Sequence, residues 1–197
     1  PWQMAGAYAT FANGGYRVEP YVISKITNAA GEVLAAAKPR RAGDPANLAI
    51  DPRNAFIMDT MLRDVVRNGT ARRARTLLKR NDLAGKTGTT NDSHDAWFAG
   101  YQRDIAAVAW VGFDQPRKLG NRETGGGLAL PIWADYMKVA LDGKPEVTPE
   151  PPAGVVQIGA DWYYTETRPG QGIATVGLME GGVASGENAD QIRDQLF

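Results

Sequence analysis

One short stretch, residues 82–101, constrains the fold of this chain more than any other. Its first half is rich in small residues and threonine, a composition that disfavours a helix and suits a strand. Turn-forming residues follow at positions 91–93, and the apolar, aromatic run 96–101 has the composition of a second strand. The stretch therefore predicts a β-hairpin. Its first strand would carry Lys86, Thr87, Gly88 and Thr89.

Alternation along this first strand determines what it can bind. Side chains two residues apart share a face of a strand, so Thr87 and Thr89 point to one side and Lys86 to the other. Gly88 leaves the backbone bare between the threonines, which allows a ligand to approach closely. One cation, two hydroxyls and exposed backbone amides can hold a carboxylate and polarise a neighbouring carbonyl. For a bare Lys-Thr-Gly tripeptide, however, an ordinary surface strand is the better interpretation.

A phosphate-binding loop is the other pattern that Gly85-Lys86-Thr87 matches in part. That motif needs a second glycine five residues before Gly85, where this chain has Arg80. A helix should also follow the motif, whereas Gly88 and the turn residues after Thr90 argue against one. The sequence therefore excludes a phosphate-binding loop.

Longer segments on either side of the hairpin favour the carboxylate-binding interpretation. Lys-Thr-Gly belongs to the signatures of penicillin-binding proteins and serine β-lactamases. Over roughly residues 1–141, the chain resembles the transpeptidase domain of class A, bifunctional penicillin-binding proteins. The segments that carry the resemblance are, in chain order, PWQMAGAYATFANGGYRVEPYVI, DPRNAFIMDTMLRDVVRNGTARRAR, GKTGTTNDSHDAWFAGY, VAWVGFDQPRKLG and ETGGGLALPIWADYM.

The resemblance implies a fold and a domain organisation. The expected fold is α+β, an antiparallel sheet flanked by helices, as in the C-terminal part of the penicillin-binding and serine β-lactamase-like transpeptidase fold. Residues 1–144 would be the C-terminal portion of the transpeptidase domain. Beyond them the composition becomes proline-rich, so residues 145–197 are predicted to be a stiff linker and a small C-terminal appendage.

The resemblance also implies a reaction and roles for named residues. Enzymes of this family cross-link peptidoglycan: a serine attacks the D-Ala-D-Ala end of a stem peptide, and the acyl group passes to an amine on a neighbouring stem. Lys86 would complete the positive field around the substrate carboxylate, and the hydroxyls of Thr87 and Thr89 would hydrogen-bond it. Gly88 would belong to the same substrate-binding strand. The backbone N–H of Thr89 would be one oxyanion-hole donor.

The family's nucleophile motif is absent from this sequence. The chain contains Ser24, Ser93 and Ser185, and none of them begins Ser-x-x-Lys or Ser-x-Asn. We therefore expect the nucleophile, its lysine base and the middle motif to lie upstream of Pro1. The chain also begins directly on a predicted core helix, so we interpret it as a C-terminal piece that is inactive alone.

The sequence leaves two other functional classes open. One is a non-catalytic binding or scaffolding module of the same fold. The other is a β-lactam hydrolase or sensor, although no carboxylate in the sequence is identifiable as the extra deacylating base that a hydrolase would need. By resemblance, the partners are peptidoglycan stem peptides, β-lactams and the upstream part of the same protein. That parent would be a bifunctional enzyme with a glycosyltransferase domain on the periplasmic side of the bacterial inner membrane, in contact with the membrane only through its N-terminal region.

Composition narrows the list of ligands. The formal net charge is zero, so nothing draws the whole chain toward nucleic acid. The chain has no cysteine and one histidine, which disfavours a structural zinc site, and no cofactor is implied. No apolar run approaches the length of a transmembrane helix.

Periodicity and end signals predict the other elements. Helices are expected over residues 1–13, from Pro52 to the Asn68-Gly69 stop, over residues 70–79 and from Pro131 onward. A hairpin is expected within residues 16–36, a strand buried on both faces over 105–113, and one strand over 155–164.

Several side chains within these elements receive specific predictions. Met58 and Met61, on the second helix, are predicted to pack in the hydrophobic core. The aromatic residues predicted for the core are Trp97, Trp110 and Trp133. His94 is expected as an exposed turn residue, and Asp95 is expected to fix the turn by accepting backbone N–H groups.

Overall fold

The computed structural model of the protein describes residues 1–169. The chain divides into two compact units, Pro1–Val155 and a unit that begins at Val156. The helices of the first unit are α1 (Trp2–Ala12), α2 (Pro52–Arg67), α3 (Arg72–Leu78) and α4 (Leu130–Ala140). Its strands are β1 (Lys25–Thr27), β2 (Val33–Ala36), β3 (Ala84–Thr89), β4 (Ala96–Gln102) and β5 (Ile105–Val111).

The predicted hairpin at residues 82–101 is confirmed, and it forms part of a three-stranded antiparallel sheet. The strand order is β3-β4-β5, with Thr87 opposite Phe98 and Gly88 opposite Trp97. Strands β1 and β2 form a separate hairpin, which confirms the one predicted within residues 16–36. The fold is therefore α+β, as predicted.

End signals in the sequence set the limits of the helices. The Asp51 side chain accepts a hydrogen bond of 2.8 Å from the backbone N–H of Arg53, and Pro52 occupies the first turn of α2. Helix α1 ends at Ala12, before Gly14, whose φ of +85° is a conformation that glycine adopts without strain. These end signals confirm the predicted starts and stops of α1 and α2.

Two hydrophobic cores lie on opposite faces of the sheet. Phe98 on β4 packs against Trp133 of α4, with 4.8 Å between ring centroids, in the larger core. Tyr101, on the other face of β4, packs with Leu62 of α2 and with Tyr8 of α1 in the smaller core. Helix α2 contributes to both cores, because Val66 belongs to the first and Leu62 to the second. The sheet is thereby held between helices.

The core predictions are right for some residues and wrong for others. Trp133 is 1% exposed, as predicted, and Met58 is partly buried against the smaller core. Met61 is 59% exposed, so its assignment to the core was wrong. It follows Phe56 by five residues, about 140° round the helix, which places it off the buried stripe. Ile132 and Tyr136, predicted to lie on the buried side of α4, are exposed because they point away from the stripe that contains Trp133.

Strand β5 also departs from the prediction of burial on both faces. Within residues 1–169 it is an edge strand, and Ala109 is its one fully buried residue. Trp110 is 40% exposed and stacks on Trp97 at 5.7 Å, so it is not a core aromatic. A continuous apolar run cannot distinguish an edge strand from a central one, which explains the error.

The smaller core contains a buried polar network. Asp59 accepts hydrogen bonds from Arg63 at 2.6 Å and from the Tyr101 hydroxyl at 2.8 Å. Burial, together with the adjacent Asp59 carboxylate, raises the pKa of Tyr101 well above its ordinary value, so the phenol stays protonated and donates. The network fixes α2 against β4.

The expected single strand over residues 155–164 is two strands. They are β6 (Val155–Ile158) and β7 (Asp161–Tyr164), which pair with each other. Gly159, with a φ of +65°, makes the turn between them. The prediction overlooked this Gly-Ala turn. The predictions for residues 170–197 lie outside the described part of the chain.

Candidate active site

Strand β3 presents an unpaired edge. Within residues 1–169 it pairs with β4 alone. The Thr90 amide, next in register after Thr89, donates to Asp95 O at 3.1 Å across the hairpin. Because alternate residues of an antiparallel strand direct their backbone groups to the same neighbour, the N–H and C=O groups of Thr87 and Thr89 face the free edge.

The start of β3 is anchored by a buried ion pair. Asp82 is 2% exposed, and its carboxylate accepts hydrogen bonds from Arg80, Gln102 and the backbone N–H of Val147. Burial favours the neutral acid, but these hydrogen bonds and the Arg80 charge outweigh it and lower the pKa of Asp82. These bonds therefore hold the start of β3 in one position.

Lys86 brings an ammonium group to the free edge. Its side chain leaves the strand on the face opposite the threonines, as alternation predicts. The Lys86 side chain then folds back so that Nζ donates to Thr87 O at 2.9 Å and lies 3.4 Å from Thr87 Oγ1. Lys86 is exposed, so this positive charge faces solvent beside the outward amides. An exposed ammonium group beside outward backbone amides is the combination that an anion-binding edge requires.

The two threonines lie on one face, and each has a partner on a neighbouring loop. Thr87 Oγ1 is 2.8 Å from Thr70 Oγ1, in the turn between α2 and α3. Thr89 Oγ1 accepts a hydrogen bond of 3.0 Å from the backbone N–H of Gly125. Since each hydroxyl has one proton and two lone pairs, accepting one bond leaves Thr89 free to donate its proton outward.

The triple glycine at residues 125–127 forms the wall behind this face. It begins a π-helical turn, Gly125–Ala129, whose first residue follows Thr124. The Thr124 hydroxyl accepts a hydrogen bond from Gly127 N at 3.1 Å. A Cβ added at Gly125 would overlap the carbonyl oxygens of Gly88 and Trp97. Only glycine therefore permits this close approach to Gly88.

The turn between β3 and β4 differs in detail from its prediction. Asp95 does not cap backbone N–H groups with its carboxylate; instead Oδ1 accepts a hydrogen bond from Trp110 Nε1 at 2.9 Å. The backbone of Asp95 bonds Thr90, whose hydroxyl accepts from Asp95 N. His94 is half-buried in this turn and not fully exposed. Trp110 lies on β5, so no local sequence pattern identifies it as the partner of Asp95.

Other chemistries find little support in residues 1–169. Ser24 is exposed immediately before β1 and Ser93 lies in the β3–β4 turn, while Ser185 is outside the described residues. No group of three or more His, Asp or Glu side chains within residues 1–169 is arranged to hold a metal ion. Over the same residues, no helix combines the length and apolarity needed to cross a bilayer.

Comparison with known protein families gives one decisive result. The family model for the penicillin binding protein transpeptidase domain matches residues 1–138. This chain belongs to the penicillin-binding protein transpeptidase family. The resemblance in the sequence is thereby confirmed over most of the first unit.

Named relatives agree with this assignment. Penicillin-binding protein 1A of Neisseria lactamica is 49% identical over 84% of this chain and 21% of the relative. The protein of the same name from Neisseria meningitidis serogroup B is 43% identical over the whole chain and 26% of the relative. The Pseudomonas aeruginosa protein is 44% identical over 82% of this chain and 25% of the relative. The chain therefore spans about a fifth to a quarter of these relatives.

Solved structures of the family share the fold. The crystal structure of penicillin-binding protein 1A from Haemophilus influenzae matches with a TM-score of 0.73 and 35% identity, over 78% of this chain and 28% of that one. The D,D-transpeptidase domain of a peptidoglycan glycosyltransferase from Eggerthella lenta matches with a TM-score of 0.54 and 28% identity, over 72% and 32%. These matches confirm the α+β transpeptidase fold.

Two residues beside the predicted strand had no predicted role. Thr70 lies seventeen positions before Thr87 in the chain, and their hydrogen bond arises only from the packing of the α2–α3 turn. Gly125 is 36 positions from its partner Thr89. Segments that include both residues contributed to the family resemblance, but nothing in their spacing predicted contact with β3.

Proposed function

We propose that this chain forms the substrate-binding side of a serine-type D-Ala-D-Ala transpeptidase. The edge of β3 would hold the carboxylate at the end of a stem peptide. One observation carries the proposal: the Lys86 ammonium, the Thr87 and Thr89 hydroxyls and two outward amides meet on one unpaired strand edge. In a chain of this family, that edge is the natural place for the substrate.

Each group has a separate role in binding. Lys86 gives a charge-assisted hydrogen bond to the carboxylate, worth about 1.5–3 kcal/mol. The threonine hydroxyls, each held by a neighbouring loop, add directional bonds that fix the orientation of the peptide. Gly88 faces the opposite side of the strand, where an added Cβ would lie 3.2 Å from Trp97 Cβ, so glycine allows β3 to pair closely with β4. The edge therefore favours a peptide whose last residue is a free acid.

The backbone N–H of Thr89 supports the chemical step. The serine oxygen attacks the carbonyl carbon of the penultimate D-Ala, and the carbonyl oxygen takes up negative charge. An N–H aimed at that oxygen is worth about 2.7–4 kcal/mol of barrier. The C–N bond then breaks, the leaving D-Ala amine gains a proton, and the acyl group stays on the serine as an ester. The amine of a second stem then attacks this ester and releases the serine.

The serine itself is proposed to lie outside this sequence, and the chain alone would be inactive. We test this with the natural protein that contains the chain. It is incubated with a fluorescent penicillin, digested, and the labelled peptide is identified by mass spectrometry. The expected adduct is on a serine that begins Ser-x-x-Lys, outside residues 1–197. An adduct on Ser24, Ser93 or Ser185, or no adduct at all, would refute the proposal, and the latter would favour a non-catalytic module.

The rest of the parent protein follows from the family and stays part of the proposal. Its partners would be peptidoglycan stem peptides and β-lactams, and its upstream part would complete the site and carry glycosyltransferase activity. It would act on the periplasmic side of the inner membrane. Residues 1–144 would belong to the transpeptidase domain, and residues 145–197 would form the linker and the appendage.

A further inference from the structure

The turn between α2 and α3 places Thr70 with little freedom. The carbonyl of Val65 accepts hydrogen bonds of 3.1 Å from both Gly69 N and Ala71 N, on either side of Thr70. A Cβ at Gly69 would lie 2.9 Å from Val65 Cα, so the tight turn requires glycine. Ala71 is fully buried in the larger core. Thr70 is thus held between two fixed neighbours.

The Thr70 hydroxyl is directed at Thr87. The two Oγ1 atoms are 2.8 Å apart, and the Lys86 ammonium lies 3.4 Å from the Thr87 oxygen. The Thr87 methyl group is turned away, toward Gly126, where it lies 3.6 Å from the position of an added Cβ. The Thr87 oxygen therefore has the Thr70 hydroxyl and the Lys86 ammonium within hydrogen-bond distance, while its methyl group packs toward Gly126.

Hydrogen-bond polarity gives this arrangement a consequence. The ammonium can only donate, so it uses one lone pair of the Thr87 oxygen. If Thr70 donates to the second lone pair, the Thr87 proton must go to an outside acceptor. An anionic acceptor strengthens the hydrogen bonds that Lys86 and Thr70 donate to the Thr87 oxygen, because hydrogen bonds in series polarise one another.

We propose that Thr70 is a positioning residue that sets the proton direction of Thr87 and so makes the β3 edge selective for a free carboxylate. This inference rests on the proposed function, since it assumes that β3 binds the substrate carboxylate. Thr70 does not act on the reacting atoms. Its effect passes through Thr87, and it distinguishes a carboxylate from an uncharged ester or amide.

The test uses the natural, full-length protein and two probes, benzylpenicillin and its methyl ester. Rates of acylation are measured by competition with a fluorescent penicillin. Thr70→Val is expected to slow acylation by benzylpenicillin roughly three- to tenfold, the effect of one neutral hydrogen bond, and to change the ester by less than about twofold. Thr70→Ser should keep both rates. Thr76→Val is the matched control, since that hydroxyl bonds Arg72 O at 3.4 Å on α3, away from β3.

A double-mutant cycle separates positioning from a purely structural effect. In a Thr87→Val background, Thr70→Val should cause no further loss of acid selectivity, because its target is gone. Equal losses for acid and ester, no loss for the acid, or full additivity would overturn the inference.

A reference variant separates this inference from the proposed function. If Lys86→Met lowers the acid-to-ester ratio and Thr70→Val does not, only the role of Thr70 fails. If Lys86→Met also leaves the ratio unchanged, the proposed carboxylate site itself is wrong.

Discussion

Thr89 combines two tasks that a substitution can separate. Its hydroxyl holds the Gly125 amide at 3.0 Å, while its backbone N–H faces the free edge. A side-chain change removes the first group and keeps the second. The size of the rate loss then shows which of the two groups serves the chemical step.

Thr89→Ala should slow acylation by a fluorescent penicillin by roughly tenfold or less, because it removes one neutral hydrogen bond and loosens the glycine loop. It should not approach the roughly hundred- to thousandfold loss expected when an oxyanion donor is removed. Thr89→Ser should retain nearly the full rate. A loss beyond about hundredfold in Thr89→Ala, with Thr89→Ser also impaired, would contradict the assignment of the oxyanion donor to the backbone.

Single residues were predictable where local spacing decides their environment. Alternation correctly placed Thr87 and Thr89 on one face, because a strand has a fixed period of two. The partner of Asp95 could not be found in this way, because Trp110 reaches it from another strand. The bend of the Lys86 side chain back toward Thr87 depends on its rotatable bonds, and no sequence pattern specifies their angles.

At the scale of elements, the contact of the glycine loop with β3 is the feature that shapes the site. Gly125 lies where a Cβ would overlap two backbone carbonyls. Backbone cannot move aside as a side-chain tip can, so the loop must shift as a unit if a side chain is added. Such a shift would carry Gly125 N away from Thr89.

Gly125→Ala should therefore lower both the acylation rate and the stability of the domain, by about 1–3 kcal/mol as for other overpacked sites. Gly127→Ala is the control, since an added Cβ there meets only Thr124 Oγ1, at 3.3 Å. Urea unfolding and fluorescent penicillin labelling of the natural protein measure the two effects. Equal behaviour of the two variants would show that the close packing against Gly88 is not required.

Elements with strong end signals were predictable, and those defined by distant packing were not. Asp51-Pro52 and the glycines after α1 marked helix ends correctly because capping is local. The position of β5 as an edge strand within the described residues depends on which strands pair with it. The Gly159 turn, in contrast, was visible in the sequence and was overlooked.

At the scale of the whole first unit, Asp82 connects the sheet to the segment that follows α4. Its carboxylate bonds Arg80 and Gln102, and it accepts a hydrogen bond of 3.1 Å from Val147 N. Arg80 also donates to the carbonyl of Lys144 at 2.7 Å. Residues 145–147, predicted to begin a linker, are thus bonded to the base of β3 through Arg80 and Asp82.

Asp82→Asn should destabilise the first unit by roughly 3 kcal/mol at neutral pH, because it leaves the largely buried Arg80 without its counter-charge. The pKa of Asp82 is lowered in the folded state, so its contribution is complete above the unfolded value of about 3.9 and declines as pH falls through the lower, folded pKa. Urea unfolding between neutral pH and pH 3 measures both. Asp104→Asn, at an exposed turn, is the control. A variant that loses stability on acidification as steeply as the parent protein would contradict the role of Asp82.

The architecture as a whole was predictable mainly because several segments together resemble one family. The α+β class follows from that resemblance, whereas the central hairpin and the closing helix follow from local composition, turn residues and helix-start signals. How the α2–α3 turn and the glycine loop converge on β3 did not follow, because these contacts link positions far apart in the chain. The β3 edge is therefore assembled by packing from three separate segments.

The acylation rate of Lys86→Met tests the carboxylate-binding role of this edge most directly. The second-order rate constant of the natural protein with a fluorescent penicillin is compared for Lys86→Met and for Lys138→Met, an exposed lysine on α4. We predict a loss of roughly ten- to a hundredfold for Lys86→Met, the effect of one charge-assisted hydrogen bond, and no change for Lys138→Met. Equal rates for the two variants would show that the β3 edge does not bind the carboxylate.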